Sequence, residues 1–340
     1  MIGQMNAEAA GHGAGRQIGL LSIVAPALNE EQTIERFYRR VLDAVEGIPF
    51  ELIFIDDGST DATPRLLTEI AESDPRVRVL VLSRNFGHQA ALTAGLDHAR
   101  GDAVAMLDSD LQDPPELLPE MLSEWRRGSD VVYAVRSTRA GESRFKLFSA
   151  HWFYRLFSRV TRINLEPNAG DFRLLDRQAL DALAEMRERN RFLRGMTVWI
   201  GYKQTAVFYD RDARLAGETK YTPTKMLRFA LDAISSFSAV PLQAATLLGF
   251  LFSFVAFLGI PVAIGFRLAG QFVPGITTLL LVVLLLGGIQ LITVGIIGEY
   301  IGRVYEEVKG RPLYLISDEI GPPADGVGES GSRSDGSNPG

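Results

Sequence analysis

The side chains best suited to chemistry are carboxylates that directly follow short apolar runs of the chain. One such run ends in Asp108 and Asp110, with Gln112 two residues further on. In an extended strand end these two carboxylates lie on one side, about 7 Å apart by backbone rise. Such oxygens bind a hard divalent cation, whose other positions are filled by water and substrate phosphates. Capping of the next helix by Asp113 is a structural alternative, but it explains neither Asp108 nor Asp110.

Two further polar clusters end apolar runs nearer the N-terminus. One contains Pro26, Asn29 and Glu30, and the other contains Asp56 and Asp57. A cation-bound diphosphate implies a nucleotide, whose base or ribose could donate hydrogen bonds to Asp56 and Asp57. The alternative for this acidic pair is a structural role in capping the tight turn that follows it.

Five apolar runs separated by helical patterns indicate the fold that positions these clusters. The runs are Leu20–Ala25, Glu51–Asp56, Val77–Leu82, Ala103–Asp108 and Asp130–Val135. Strands that alternate with helices favour an α/β fold with a parallel, doubly wound sheet. Because ligands bind at the carboxyl ends of such strands, we expect the clusters to meet at one edge. No GxGxxG follows the first run, which argues against a dinucleotide site, and the absence of cysteine excludes disulfides and thiolate chemistry.

The C-terminal part of the chain has the composition of a membrane anchor. The 340 residues carry a net charge of −6, yet residues 233–298 contain a single charged side chain, Arg267. About 20 apolar residues span a bilayer, so we expect two transmembrane helices, at 241–266 and 274–298. Lysines and arginines flank this pair on its outer sides. They predict a multi-pass protein of the plasma (inner) membrane, with both termini and the soluble part in the cytoplasm.

The remaining segments are assigned by their composition. Residues 1–19 are expected to form a flexible leader, 299–320 a cytoplasmic segment and 321–340 a disordered tail. Basic and aromatic residues repeat at helical spacing over 143–163, which predicts a helix lying on an anionic membrane surface. A second amphipathic helix is expected beside the membrane at 221–238.

Six stretches of the sequence occur in an order that resembles a known enzyme family. They are PALNEE, DDGSTD, SRNFGHQAAL, DSDLQDPPE, AGDFRLLDR and GETKY, followed by the two apolar segments. This set resembles the family 2 glycosyltransferases with the GT-A fold. More narrowly, it is similar to the polyprenyl-phosphate glycosyltransferases related to dolichol-phosphate mannosyltransferase. The resemblance implies a GT-A domain at 20–220 with a Rossmann-like, mostly parallel sheet.

The resemblance also implies roles for individual residues. The candidate catalytic residues are Asp171 and Asp110. The nucleotide-binding residues would be Pro26, Asn29, Glu30, Asp56, Asp57 and Asp108. The residues near the acceptor phosphate or the donor diphosphate would be Arg136, Arg173, Lys220 and Tyr221. The cofactor would be Mg²⁺ or Mn²⁺, held by Asp108, Asp110 and Gln112.

The implied reaction transfers a sugar from a nucleotide diphosphate sugar, such as UDP-glucose, to a polyprenyl phosphate, such as undecaprenyl phosphate. The transfer would need the metal, invert the anomeric carbon and take place at the cytoplasmic membrane face. A phosphate monoester has a second pKa of about 6 and is largely dianionic at pH 7, so this nucleophile needs little help from a base. Asp171 is therefore either a general base or an orienting group, and the sequence leaves both roles open.

Two other interpretations predict different features. A processive polysaccharide synthase would be expected to carry QxxRW and more spans, but none of Trp125, Trp152 and Trp199 lies in that motif. A non-catalytic, membrane-anchored nucleotide-binding protein would not need carboxylates in every cluster. Glycines in the second apolar segment permit a homo-oligomer, and no nucleic acid partner is expected.

Overall fold

The computed structural model describes residues 15–137, 166, 169–209, 240–269 and 275–322. Several predictions lie outside the described residues. They concern the amphipathic segments 143–163 and 221–238, Lys220, Tyr221, and most of the leader and the tail.

An eight-stranded sheet forms the centre of the protein. Its strands are β1 (Leu21–Ala27), β2 (Phe50–Asp56), β3 (Val77–Leu82), β4 (Ala103–Met106), β5 (Val131–Arg136), β6 (Ala169–Asp176), β7 (Gln204–Tyr209) and β8 (Ile316–Ile320). They are arranged in the order β7-β5-β6-β4-β1-β2-β3-β8. The pairs β1–β2, β1–β4, β2–β3 and β5–β7 are parallel. The pairs β3–β8, β4–β6 and β5–β6 are antiparallel. The predicted α/β class is confirmed, with a mixed sheet in which parallel pairs are the majority.

Helices cover both faces of this sheet. They are α1 (Ile34–Ala44), α2 (Thr63–Ser73), α3 (His88–His98), α4 (Leu118–Arg126), α5 (Arg177–Glu185) and α6 (Leu193–Trp199). Every residue of β1 and β2 is buried, as is typical of central strands covered on both faces. In α1 the buried residues are Ile34, Phe37 and Val41, whose spacing gives the helix one apolar face. The carboxyl ends of β1, β2 and β4 therefore form a rigid edge for a site.

Two segments that were predicted to lie outside the domain pack against it. Strand β8, in the segment 299–320, pairs with β3, and its Glu319 contacts the buried Arg78 at 2.6 Å. The charge of Arg78, which is 2% exposed, requires such a partner. At the other terminus, Arg16 contacts Asp130 at 2.7 Å, so the described end of the leader is held in place.

Two long helices follow strand β7 along the chain, α7 (Val240–Leu268) and α8 (Ile276–Val308). Among the described residues, one helical stretch, Leu285–Val308, is long and apolar enough to span a membrane by length and composition. The prediction of two spans is therefore supported at one position only. This stretch also lies further along the chain than the predicted span 274–298, because α8 continues for ten residues beyond it.

Candidate active site

Three of the predicted clusters meet at the carboxyl edge of the sheet, around a cavity of about 280 Å³. Its lining includes Pro26, Ala27, Leu28, Glu30, Asp57, His88, Ala91, Asp108, Ser109 and Asp110. The strand ends are tied together there, since the hydroxyl of Ser109 donates to the carbonyl of Pro26 at 2.7 Å. The structure thus brings five predicted site residues together, and their individual roles stay predictions.

The acidic pair after β2 organises the backbone of two loops. The carboxylate of Asp56 accepts from the amide of Ser59 at 3.0 Å, which is the turn-capping role considered as its alternative. Asp57 accepts from the amides of Phe86 at 2.7 Å and Gly87 at 3.0 Å. Both carboxylates are almost fully buried. They hold the loops around the cavity, and their contact with a nucleotide stays a prediction.

The predicted residue Asn29 also acts on this turn. It has a φ of +58°, in the left-handed region that asparagine tolerates better than most residues. Its side-chain oxygen accepts from the amide of Thr60 at 2.8 Å. Asn29 therefore joins the loop after β1 to the turn after β2.

Gly58 allows the turn after β2 to lie against the loop after β3. Its φ is +75°, and an added Cβ would lie 2.8 Å from the backbone nitrogen of Asn85. Gly58→Ala is expected to lower the free energy of unfolding by about 2 kcal/mol or more, because a backbone clash adds to the left-handed strain. The matched control is Gly47→Ala, where φ is +76° and an added Cβ meets nothing within 4 Å. Urea denaturation of both variants measures the difference, and equal losses would contradict the close-approach argument.

The predicted cation ligands follow β4 in a short polar loop. Asp110 accepts from the backbone amide of Gln112 at 3.0 Å and from its side-chain amide at 2.6 Å. Among the described residues, no group of three His, Cys, Asp or Glu side chains is close enough to hold a metal. Two carboxylates and one amide oxygen nevertheless fit a hard cation whose remaining ligands are water and phosphate.

Negative charge accumulates around this loop. Partial burial raises the pKa of Glu30, and the charge of Asp110 adds to the effect. Burial also raises the pKa of Asp57, although its backbone hydrogen bonds act in the opposite direction. The pKa of Asp108 is raised mainly by burial, while the nearby His88 lowers it. Burial is therefore the main reason why these carboxyl groups resist ionisation, and neighbouring carboxylates add to the effect.

Asp171, the predicted catalytic carboxylate, lies on β6 beside three polar side chains from two helices. Its Oδ1 is 3.2 Å from Nη2 of Arg194 on α6. Its Oδ2 is 3.4 Å from Nε2 of Gln89 and 3.5 Å from Nε2 of His88, both at the start of α3. Burial would raise the pKa of Asp171, but His88 and Arg194 outweigh burial and hold it well below its usual range. The carboxylate is therefore ionised and already bound by cationic groups.

Arg173 does not reach the opening of the cavity. It is 2% exposed, donates to the hydroxyl of Thr197 and lies over the ring of Tyr133. Burial, together with the charge of Arg194, lowers the pKa of Arg173 to about 10. The predicted contact of Arg173 with an acceptor phosphate does not fit this position, because α6 packs over this face of β6.

Arg136, another predicted phosphate ligand, lies at the end of β5. Its Nε donates to the hydroxyl of Tyr209 at 3.1 Å, and its Nη2 is 3.5 Å from the buried carboxylate of Asp113. Asp113 is thus a partner of Arg136 and Tyr209. The side chain of Arg136 remains 29% exposed, and its role as a phosphate ligand stays a prediction.

Three residues of the site were not predicted. His88 and Gln89 lie in the stretch SRNFGHQAAL, and their position just after the third strand was a usable signal, since ligands bind at such ends. Arg194 belongs to none of the recognised motifs, and the packing of α6 on β6 brings it to Asp171.

Comparison with known proteins identifies the family of the chain. The sequence profile described as glycosyl transferase family 2 matches residues 22–184. A glycosyltransferase of Synechocystis, described as uncharacterized, is 47% identical, with 88% of this chain and 95% of that protein covered. The prophage bactoprenol glucosyl transferase homolog of Escherichia coli is 43% identical, with 87% of this chain and 98% of that protein covered.

A solved structure with a weaker likeness is that of glucosyl-3-phosphoglycerate synthase from Mycobacterium tuberculosis in complex with Mn²⁺, UDP and phosphoglyceric acid. It is 24% identical, covers 69% of this chain and 82% of that chain, and has a TM-score of 0.46. Such a likeness says nothing about the ligands of the present chain. The sequence relatives decide the family, since they are similar over nearly their whole length. The predicted enzyme class, a hexosyltransferase, is confirmed, and the chain belongs to glycosyl transferase family 2.

Proposed function

We propose that the protein transfers glucose from UDP-glucose to a polyprenyl phosphate such as undecaprenyl phosphate, with inversion at the anomeric carbon. The observation that carries this proposal is the similarity to bactoprenol glucosyl transferases. The enzyme of Shigella phage SfII, for example, is 44% identical, with 97% of its length covered. Bactoprenol is a polyprenyl lipid, and both the acceptor and the sugar are taken from the names of these relatives. The uridine nucleotide rests on the resemblance of the nucleotide-binding segments.

The donor is proposed to bind in the acidic cavity, with Pro26, Asn29, Glu30, Asp56 and Asp57 shaping the nucleotide side. Asp108, Asp110 and Gln112 would hold Mg²⁺ or Mn²⁺, which as a Lewis acid would stabilise the charge of the leaving nucleoside diphosphate. The two carboxylates face the cavity from the end of β4. Without a cation, the negative charge of this cavity would repel the diphosphate of the donor.

Asp171 is proposed to orient the acceptor side of the site and not to act as a general base. A base needs a pKa near the operating pH, whereas His88 and Arg194 hold the pKa of Asp171 well below its usual range. The acceptor phosphate is largely dianionic at pH 7 and is already a competent nucleophile. Arg194, which is 22% exposed and is fixed by Asp171, is proposed to bind this phosphate in place of the buried Arg173.

The acceptor requires the site to lie close to a membrane. We propose that the stretch Leu285–Val308 and the preceding apolar helix α7 anchor the protein in the plasma (inner) membrane, with the catalytic domain in the cytoplasm. The length and apolar composition of Leu285–Val308 support membrane anchoring at that stretch, and the flanking lysines and arginines support the orientation. The basic segment 143–163 would then bind the anionic lipid surface and bring the opening of the site close to it.

The proposed function is tested with the full chain in lipid nanodiscs, undecaprenyl phosphate and a panel of radiolabelled nucleotide sugars. UDP-glucose with Mg²⁺ or Mn²⁺ is expected to give a glucosyl phospholipid that mass spectrometry identifies. The control omits the lipid phosphate. A product formed from another nucleotide sugar and not from UDP-glucose would overturn the proposed donor. Formation of a polymer would favour a processive synthase. Nucleotide binding without any product would favour the non-catalytic interpretation.

A further inference from the structure

His88 lies between the two halves of the site. Its Nε2 is 3.5 Å from Oδ1 of Asp108, on the proposed cation side, and 3.5 Å from Oδ2 of Asp171, on the proposed acceptor side. We propose that His88 is a positioning residue that bridges these two carboxylates and sets the separation between donor and acceptor. This inference rests on the proposed function and assigns that function a residue which the family resemblance left without a role.

The backbone before α3 fixes where His88 begins its helix. Gly87 has a φ of +97°, a conformation that favours glycine. The amide of Gly87 and that of Phe86 both donate to the buried carboxylate of Asp57. Asp57 therefore holds the loop that places the imidazole over the cavity, on a rigid helix start.

The two carboxylates need such a bridge because the sheet brings them together. Strands β4 and β6 are antiparallel, with Met106 opposite Arg173, and Asp108 and Asp171 each lie two residues beyond that pair towards the site. Like charges so arranged repel each other in a partly buried site. Asp171 also has Arg194 as a partner. The Nε2 of His88 lies 3.5 Å from both Oδ1 of Asp108 and Oδ2 of Asp171, so a ring N–H at this position can be shared by the two carboxylates without a positive charge on the ring.

Solvent exposure also distinguishes His88 from a histidine with a purely structural role in the hydrophobic core. Its side chain is 42% exposed and lines the cavity. At the other end of α3, the ring Nδ1 of His98 instead hydrogen-bonds within the same helix, to the carbonyl oxygen of Ala94 at 2.8 Å. The two histidines therefore form a matched pair on one helix, one facing the site and one away from it.

The test compares His88→Ala, His88→Gln and the control His98→Gln, each as the full chain in nanodiscs. His88→Ala is expected to lower kcat by about 10- to 100-fold, the range seen when residues that orient a site are removed. The KM for donor and the binding of UDP measured by calorimetry are expected to change less than about threefold. Glutamine supplies an N–H at similar reach, so His88→Gln is expected to recover most of kcat.

Unchanged kcat in His88→Ala would overturn the inference, and so would an equal loss in the alanine and glutamine variants, since no hydrogen-bonding bridge would then be needed. A rise in the donor KM at constant kcat would assign His88 to substrate binding instead. Thermal unfolding of all three variants identifies any loss caused by misfolding. If the wild-type protein forms no glucosyl lipid, the proposed function fails, whereas a normal wild-type rate with an unaffected His88→Ala variant defeats this inference alone.

Discussion

Asp171→Asn is expected to lower the rate of sugar transfer by about 100-fold or more while the affinity for UDP changes less than about threefold. The substitution keeps the shape of the side chain but removes its negative charge. That charge holds Arg194, whose Nη2 lies 3.2 Å from Asp171, and attracts the imidazole of His88. The neutral amide would leave the guanidinium free to move from the position proposed for the acceptor phosphate. Steady-state kinetics with undecaprenyl phosphate, combined with calorimetric UDP binding, measures both quantities.

The pH profile of the variant separates the two roles of Asp171. His88 and Arg194 hold the pKa of Asp171 well below its usual range, so the wild-type carboxylate is ionised throughout the neutral range. An orienting role therefore predicts that Asp171→Asn stays impaired from about pH 6 to pH 9. Recovery of the rate at high pH, where the acceptor is fully deprotonated, would restore the general-base role. The control Asp181→Asn makes the same chemical change on an exposed part of α5 and is expected to behave as wild type.

The central sheet was predictable because each buried strand is a short apolar run with helical patterns between the runs. The antiparallel strands were harder to predict from the sequence. Strand β6 contains Asp171 and Arg173, so its pattern is interrupted by the site itself. Strand β8 carries three polar residues in five and pairs only along one edge of β3. A partner strand more than 230 residues away in sequence stabilises it, and no local pattern records such a partner.

The site was predictable where its polar residues directly follow an apolar strand, as Asp108 and Asp110 do. Contacts between elements were not predictable from local pattern. Gln89 shows this clearly, because its amide oxygen accepts from Leu193 at 3.0 Å while its nitrogen lies 3.4 Å from Asp171. One side chain thus joins α3, α6 and β6. The burial of Arg173 has the same origin, since it depends on how α6 packs and not on the motif that contains the residue.

Asp110→Asn is expected to weaken Mn²⁺ binding in the presence of UDP by about tenfold or more and to lower transfer by about 100-fold or more. Asparagine retains the size of the side chain and an oxygen that can accept from the amide of Gln112. The loop should therefore keep its shape while the cavity loses one carboxylate. Calorimetry of Mn²⁺ with UDP present measures binding directly, and kinetics in EDTA with added metal measures the requirement for the cation.

The control Asp43→Asn removes one negative charge from an exposed position of α1, so an effect of net charge alone would appear in both variants. With less repulsion in the cavity, Asp110→Asn is also expected to lower the pKa of Glu30, whose ionisation the charge of Asp110 opposes. This shift is measurable by carbon-detected NMR of the glutamate carboxyl groups. Full activity of the wild-type protein in EDTA would overturn the cation site. An unchanged Mn²⁺ affinity in Asp110→Asn would move that site away from this loop, because a hard cation does not lose a charged oxygen ligand without a loss of affinity.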